Sequence, residues 1–302
     1  MPNALARGLV HQTSPTVGIL SDDFSDVAIA RFVLGAQRSV AGEGFAALVV
    51  STPAGGDHTV SLRWLHELRV RGVLLIAPSL ESDARLAEAF RDSVPRVSLS
   101  QVAGARTTVV GSDHRMTGVL VAEHLLSLGH ERIGTITGGR DRRVTLSRLK
   151  GFRDRLRSGG VTLEPAVVVE ADWTSEGARA ATHRLLDVDP EITAIFAQSD
   201  LMALGVLRAL AERGISVPRD CSVVGCDDLR IAGFLTPPLT TVRVPFEETG
   251  ALAAQLLLRS IRGETISARE LLPVRFIVRA STARPPPHSR RSVSSSSPAR
   301  HV

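Results

Sequence analysis

The chain has 302 residues, enough for two cores, with 43% hydrophobic and 22% charged residues and a formal net charge of +5, an ordinary globular balance. It contains no run of 18 apolar residues and no secretory signal pattern, which argues against a membrane span or an exported precursor and places it in the cytoplasm. Cys221 and Cys226 are its only cysteines, spaced unlike a zinc pair, so they read as buried free thiols rather than a disulfide or metal framework.

In chain order, "PNALARGLV" at 2–10 reads as one short helix. Pro2 suits a first turn, Ala4 and Ala6 keep the helix thin, and Leu5 and Leu9 share a face. Nine residues are marginal as an isolated helix, and on composition alone the plainer reading is a frayed or core-packed terminus. From residue 16 short β-rich runs alternate with helix-period segments. "TVGIL" (16–20) precedes a helix at 27–41, "AALVVS" (46–51) one at 58–69, and "GVLLIAP" (72–78) one at 82–92. "PRVSLS" (95–100) and "TTVVGSD" (107–113) lead to a helix at 114–128. Apolar strands of four to six residues between helices predict parallel sheets covered on both faces.

The same grammar restarts at 129. "ERIGTITG" (131–138) leads to a helix near 145–158, "AVVVEAD" (166–172) to one at 174–187, "TAIFAQSD" (193–200) to 201–213, and "CSVVGCDD" (221–228) to a short helical turn. Gly129, Gly159, Gly160 and Gly214 stand where left-handed helix caps are wanted. A helix at 247–262 and a strand at 273–279 follow, one of which is expected to return to the first unit. The fold class is therefore α/β with two doubly wound parallel-sheet units, at 15–128 plus about 246–268 and at 129–243 plus about 273–283. The open-sheet rule puts a ligand beyond the carboxyl ends of the strands, in a cleft between the units. Residues 284–302 form a Pro/Ser/Arg tail expected to be disordered; its four arginines leave the rest near +1, so the folded body is not a basic nucleic-acid surface by charge.

Enzyme motifs are wanting. "GEGFAA" (42–47) lies before a strand, where a dinucleotide fingerprint would follow one, and reads as a helix cap and turn. There is no phosphate-binding lysine loop, and Lys150 is the only lysine, so "TGGRDRR" (137–143) reads as a loop. In Asp22/Asp23 and Asp227/Asp228 one carboxylate is expected to turn toward the cleft and the other to cap a helix. No metal pattern or nucleophile elbow occurs, so no catalysis, cofactor or metal is expected.

"VVGSDHRMTGVLVAEHLLSLGHERIGTITG", "SRLKGF", "DWTSEG", "SDLMALGVLRAL" and "ISVPRDCSVVGCDDLRIAGFLTPPLTTVRVPFEETG", with the opening "PNALARGLV", resemble the LacI/GalR transcription regulators over about residues 2–283. The resemblance implies a type I periplasmic-binding-protein-like core that acts as a cytoplasmic, homodimeric repressor. In such a protein a small effector closes the two subdomains and allosterically shifts operator binding. A sugar is the foremost effector, with a nucleoside or purine as the other option. Residues 2–10 then match the hinge helix, with Asn3, Leu5, Ala6 and Leu9 facing DNA and Leu9 as the minor-groove wedge. This chain has no helix-turn-helix ahead of that segment, so weak or no operator binding by this chain alone is expected. The alternatives are a stand-alone periplasmic-type binding protein and a headless regulator that no longer binds DNA.

The resemblance also carries over an effector site. Arg148 matches a forked donor to hydroxyls or carboxylate, Trp173 a stacking aromatic, and Asp227 an accepting carboxylate. Phe246 matches an apolar wall, Asp26 and Ile29 the start of the first helix, and Asp113 an aspartate that is equally structural or ligand-binding. Ser199 stands where the family usually has asparagine and lacks its amide.

Overall fold

The computed structural model describes residues 15–52, 58–81, 94–99 and 107–287. The segment 2–10 with Asn3, Leu5, Ala6 and Leu9, the helix expected at 82–92 and the tail from 288 lie outside the described residues. The chain divides into two compact units. The first holds the described residues up to Met116, Arg142–Val144 and Val244–Arg275; the second holds Thr117–Asp141, Thr145–Arg243 and the described residues from Phe276 onward.

In the first unit the apolar runs become β1 (Thr16–Ser21), β2 (Ala46–Ser51), β3 (Val73–Ile76), β4 (Arg96–Ser98) and β5 (Thr108–Ser112). With β11 (Arg269–Leu272) they form a six-stranded sheet in the order β11-β5-β4-β3-β1-β2, and its pairs run parallel. Side chains alternate between faces. Val17, Ile19, Leu74 and Ile76 join the cluster under α1 (Val27–Gly42) and α7 (Phe246–Ile261). Leu20, Val73 and Leu75 join the opposite cluster with Leu62 and Leu65 of α2 (His58–Glu67). Both faces are thus buried, which is why these strands read as apolar runs without a polar stripe. α1 and α7 touch backbone to backbone: a Cβ at Gly35 would lie 2.0 Å from the Glu247 carbonyl oxygen, and one at Gly250 2.0 Å from that of Phe32.

β11 was not foreseen. Its "RELL" carries charge on the exposed side of an edge strand, so no apolar run marks it.

α3 (His114–Leu128) starts in the first unit and continues in the second. The second sheet has the order β7-β6-β8-β9, all parallel, from β6 (Ile133–Thr137), β7 (Val168–Glu170), β8 (Ala194–Ala197) and β9 (Ser222–Val224). α4 (Arg143–Ser158), α5 (Ser175–Val188) and α6 (Asp200–Glu212) cover it, with Phe152 of α4 against Phe196 of β8 at 5.0 Å between ring centroids. The short β10 (Thr241–Arg243) pairs with β12 (Arg275–Ile277). Gly129, Gly160 and Gly214 take positive φ at helix ends as expected; Gly159 does not, and the left-handed position belongs to Gly160 alone. "GEGFAA" is indeed the end of α1 and a turn, with Gly44 at φ 77°. Cys221 and Cys226 are both buried and are not joined in a disulfide. Among the described residues no helix is long and apolar enough to cross a membrane.

Candidate functional site

The four parallel strands of the second unit end on one edge, and the segment after each strand carries polar side chains there. Thr137 ends β6 and Gly138 follows it, Asp172 and Trp173 follow β7, Gln198 to Asp200 follow β8, and Cys226 to Asp228 follow β9. α4 brings Arg148 to the same edge.

The Arg148 side chain is 3% exposed. Its Nη1 donates to the Gln198 carbonyl at 2.5 Å, and its Nη2 reaches Asp227 Oδ1 only at 3.4 Å. Its Nε has no hydrogen-bond partner, and neither do Gln198 Oε1, Thr137 Oγ1 and Thr145 Oγ1, all buried. Gln198 Nε2 donates to the Thr145 carbonyl at 3.3 Å. An orphaned buried polar atom costs about 1–3 kcal/mol, so these four buried atoms of the second unit are hydrogen-bonding capacity left unused. Asp200 is fully buried, with Thr241 Oγ1 and the Leu229 amide donating to it at 2.6 and 2.7 Å. Burial first, and then the charge of Asp227, push its pKa up to about 8, so it holds a proton at neutral pH. Asp227 is then the counter-charge of Arg148, and the pair is neutral. Burial likewise raises the Cys226 thiol well above its usual value, so it stays a thiol.

Trp173 has a left-handed backbone, φ 68°, and its indole lies on Gly138. Asp227 and Asp228 also have positive φ, 114° and 53°. Consecutive strained non-glycine residues aim the two carboxylates apart, Asp227 to Arg148 and Asp228 to Arg279 at 2.6 Å. The expectation that one of this pair caps a helix fails, because both are held by arginines. It fails for Asp22/Asp23 as well: Asp23 accepts from the Ser25 amide, and the cap of α1 is Asp26, which accepts from Ala28 at 2.9 Å.

The other carried-over residues fall in different roles. Ser199 is the cap of α6, accepting from the Met202 amide at 3.0 Å, so its hydroxyl is already engaged. Asp113 Oδ1 accepts from the Met116 amide at the start of α3, a structural use. Ile29 is 3% exposed within the first core, where the helical period turns it inward. Phe246 is 2% exposed, edge-on to Phe32 at 5.1 Å with the Arg31 guanidinium 5.5 Å from its ring centre. Arg148, Trp173 and Asp227 thus share the strand-end edge of the second unit, while Asp26, Ile29 and Phe246 belong to the first.

Reading the sequence missed Gln198 and left open which of Asp22 and Asp23 turns inward. Gln198 looked like part of a strand end and carries no motif. In the first unit Asp22, directly after β1, accepts from the Ser79 amide at 2.9 Å and its hydroxyl at 2.5 Å, and His58 Nε2 lies 2.8 Å from the same hydroxyl. The position of Asp22 just past a central strand was the available signal.

The family model of the periplasmic binding protein-like domain matches residues 122–282. The HTH-type transcriptional regulator CelR of Thermobifida fusca is 34% identical over 291 residues, covering 93% of this chain and 85% of that protein. The ribose operon repressor of Escherichia coli (strain K12) is 30% identical over 273 residues, covering 89% and 82%. A solved CelR–cellobiose complex superposes with TM-score 0.82 at 32% identity over 92% of this chain and 89% of that one. The lac repressor dimer bound to operator and the anti-inducer ONPF superposes with TM-score 0.86 at 27% identity over 94% and 99%. Both relatives are named as transcriptional regulators or repressors. The chain belongs to the LacI family of transcriptional regulators.

Proposed function

We propose that this chain is the effector-sensing core of a repressor whose effector is an uncharged sugar, bound at the strand ends of the second unit. The observation that carries this is Arg148. It is buried with an orphaned Nε, uses one strong hydrogen bond of the five its fork can donate, and is neutralised by Asp227. A neutralised guanidinium with an unused donor, beside the unpartnered Gln198 Oε1 and Thr145 Oγ1, fits hydroxyl groups, which both donate and accept. A phosphate would need uncompensated positive charge. Trp173 on the same edge offers a ring to an apolar sugar face. Two relatives support the class: CelR was solved with cellobiose, and a LacI family regulator of Enterococcus faecium, 28% identical, with ribose.

Effector binding would be coupled through residues 2–10 to operator DNA in a homodimer, as the dimeric lac repressor on its operator suggests. A ligand shifts such an equilibrium only by its differential affinity for the two states, about 1–3 kcal/mol of coupling. The test is a thermal-shift panel of neutral mono- and disaccharides, including cellobiose and ribose, against sugar phosphates, nucleosides and purines. A ligand at a hundred times its Kd adds about 2.7 kcal/mol of stability. A shift with a neutral sugar, absent in Trp173→Ala, supports the reading; a shift with only phosphates or purines overturns the sugar assignment.

A further inference from the structure

We propose that Gly138 and Asp172 are positioning residues that set the pose of the Trp173 indole. The inference rests on the reading of Trp173 as an effector-facing ring. Two independent contacts carry it. On one side, the indole lies directly on the Gly138 backbone: a Cβ there would stand 2.0 Å from Cε2, 2.2 Å from Cζ2 and 2.5 Å from Nε1 of the ring. No side chain fits, so glycine alone lets the ring lie against the end of β6. On the other side, the left-handed backbone of Trp173, rare for an aromatic residue, is bracketed by a local clamp. Asp172 Oδ1 accepts from the Thr174 amide at 3.1 Å and from its hydroxyl at 2.6 Å. Thr174 Oγ1 in turn accepts from the Gly177 amide at 2.9 Å and caps α5. Those two donations hold the Asp172 carboxyl below its usual range, as expected of a carboxylate engaged in its charged form. Gly177 is part of the same fit, since a Cβ there would lie 2.0 Å from Asp172 Oδ1.

The clamp fixes the backbone and Gly138 fixes the ring. A platform ordered before the effector arrives loses less entropy on binding, which is the advantage of preorganisation. The prediction follows that the ring pose depends on a residue far from it in sequence and on an acceptor next to it, independently of overall stability.

The experiment uses the full chain with Trp64→Phe, which leaves Trp173 as the sole tryptophan of the two in the sequence. Tryptophan emission and acrylamide quenching are then compared in Gly138→Ala, Asp172→Ala and Asp172→Asn. The expected result is a red-shifted emission and a higher quenching constant in Gly138→Ala and Asp172→Ala. Asp172→Asn, which keeps the accepting oxygen, retains the parent spectrum. Far-UV circular dichroism and the unfolding midpoint establish that each variant is folded. If Gly138→Ala does not fold, the Asp172→Ala and Asp172→Asn pair decides by itself. Parent-like emission and quenching in the folded alanine variants overturn the proposal. A Trp173→Ala protein that keeps its full sugar response would overturn the effector reading instead and leave the emission result standing.

Discussion

Replacing Arg148 by methionine separates what this side chain contributes to the fold from what it contributes to binding. The charge-assisted bond to the Gln198 carbonyl contributes about 1.5–3 kcal/mol, and the 3.4 Å approach to Asp227 adds less than ~1 kcal/mol. Against this, the guanidinium leaves its buried Nε unpartnered, which costs about 1–3 kcal/mol, and methionine fills similar space with no polar atom to bury. That offset is smaller than the cost of taking the counter-charge from the largely buried Asp227, since breaking a buried pair from one side costs about 3–5 kcal/mol. Arg148→Met should therefore lower the unfolding midpoint by about 5–8 °C, at about 1.6 °C per kcal/mol for a chain of this size. The effect on effector binding is read separately. Losing one charge-assisted bond of about 2.7 kcal/mol weakens Kd about a hundredfold. A sugar at a hundred times the parent Kd then stabilises the parent by about 2.7 kcal/mol and the variant by about 0.4 kcal/mol. Differential scanning fluorimetry with and without the sugar reads both numbers, and titration calorimetry checks the affinity. Equal sugar-induced shifts in the two proteins would refute the role given to Arg148. A sugar-free variant within about 1 kcal/mol of the parent would refute the structural weight given to the Arg148–Asp227 pair.

Three further outcomes follow from the packing and the titrating groups. Phe152→Ala removes a fully buried ring packed on Phe196 and should cost about 3–5 kcal/mol in urea unfolding. Gly35→Ala forces α1 from α7 against backbone rather than a flexible side chain, and should lower stability by at least ~1–3 kcal/mol, whereas Gly42→Ala, with open space around it, should not. Burial holds His124 and His130 below 6.5, so as the pH falls below 6.5 the unfolded chain takes up protons that the folded chain refuses, and stability drops. Asp200, raised to about 8, acts oppositely: between its unfolded value of 3.8 and about 8, stability falls as the pH rises. The readout is therefore the difference between the parent and a His124→Gln/His130→Gln variant in urea midpoints at pH 7.5 and 5.5. The variant should retain more of its stability on acidification than the parent, and an identical acid-side loss would contradict the histidine assignment.

Much of the candidate site was legible in part. Arg148, Trp173 and Asp227 each sit in a stretch that resembles the family; Trp173 and Asp227 lie past strand ends, and Arg148 reaches the same edge from α4. Gln198 was invisible because its meaning comes from Thr145, 53 residues away, and from Arg148 on the same helix as Thr145. The place of Ile29, three residues past the cap of α1, says nothing about which face of the helix meets the sheet; Val33, Ala36 and Val40 share its buried side. The same limit applies to Asp22, whose partner Ser79 lies 57 residues on.

The order of strands and helices was determined by the sequence itself. Doubly buried strands must be apolar at consecutive positions, helices must turn an apolar stripe to a sheet, and caps such as Ser199, Thr174 and Gly160 act within a few residues of their own position. Only the tertiary structure decided which loops share an edge, that "RELL" closes a sheet as its sixth strand, and that Asp227 faces an arginine instead of capping a helix. Those outcomes depend on contacts between segments far apart in the chain, where low dielectric and desolvation, not local propensity, set the charge state and the partner of each side chain.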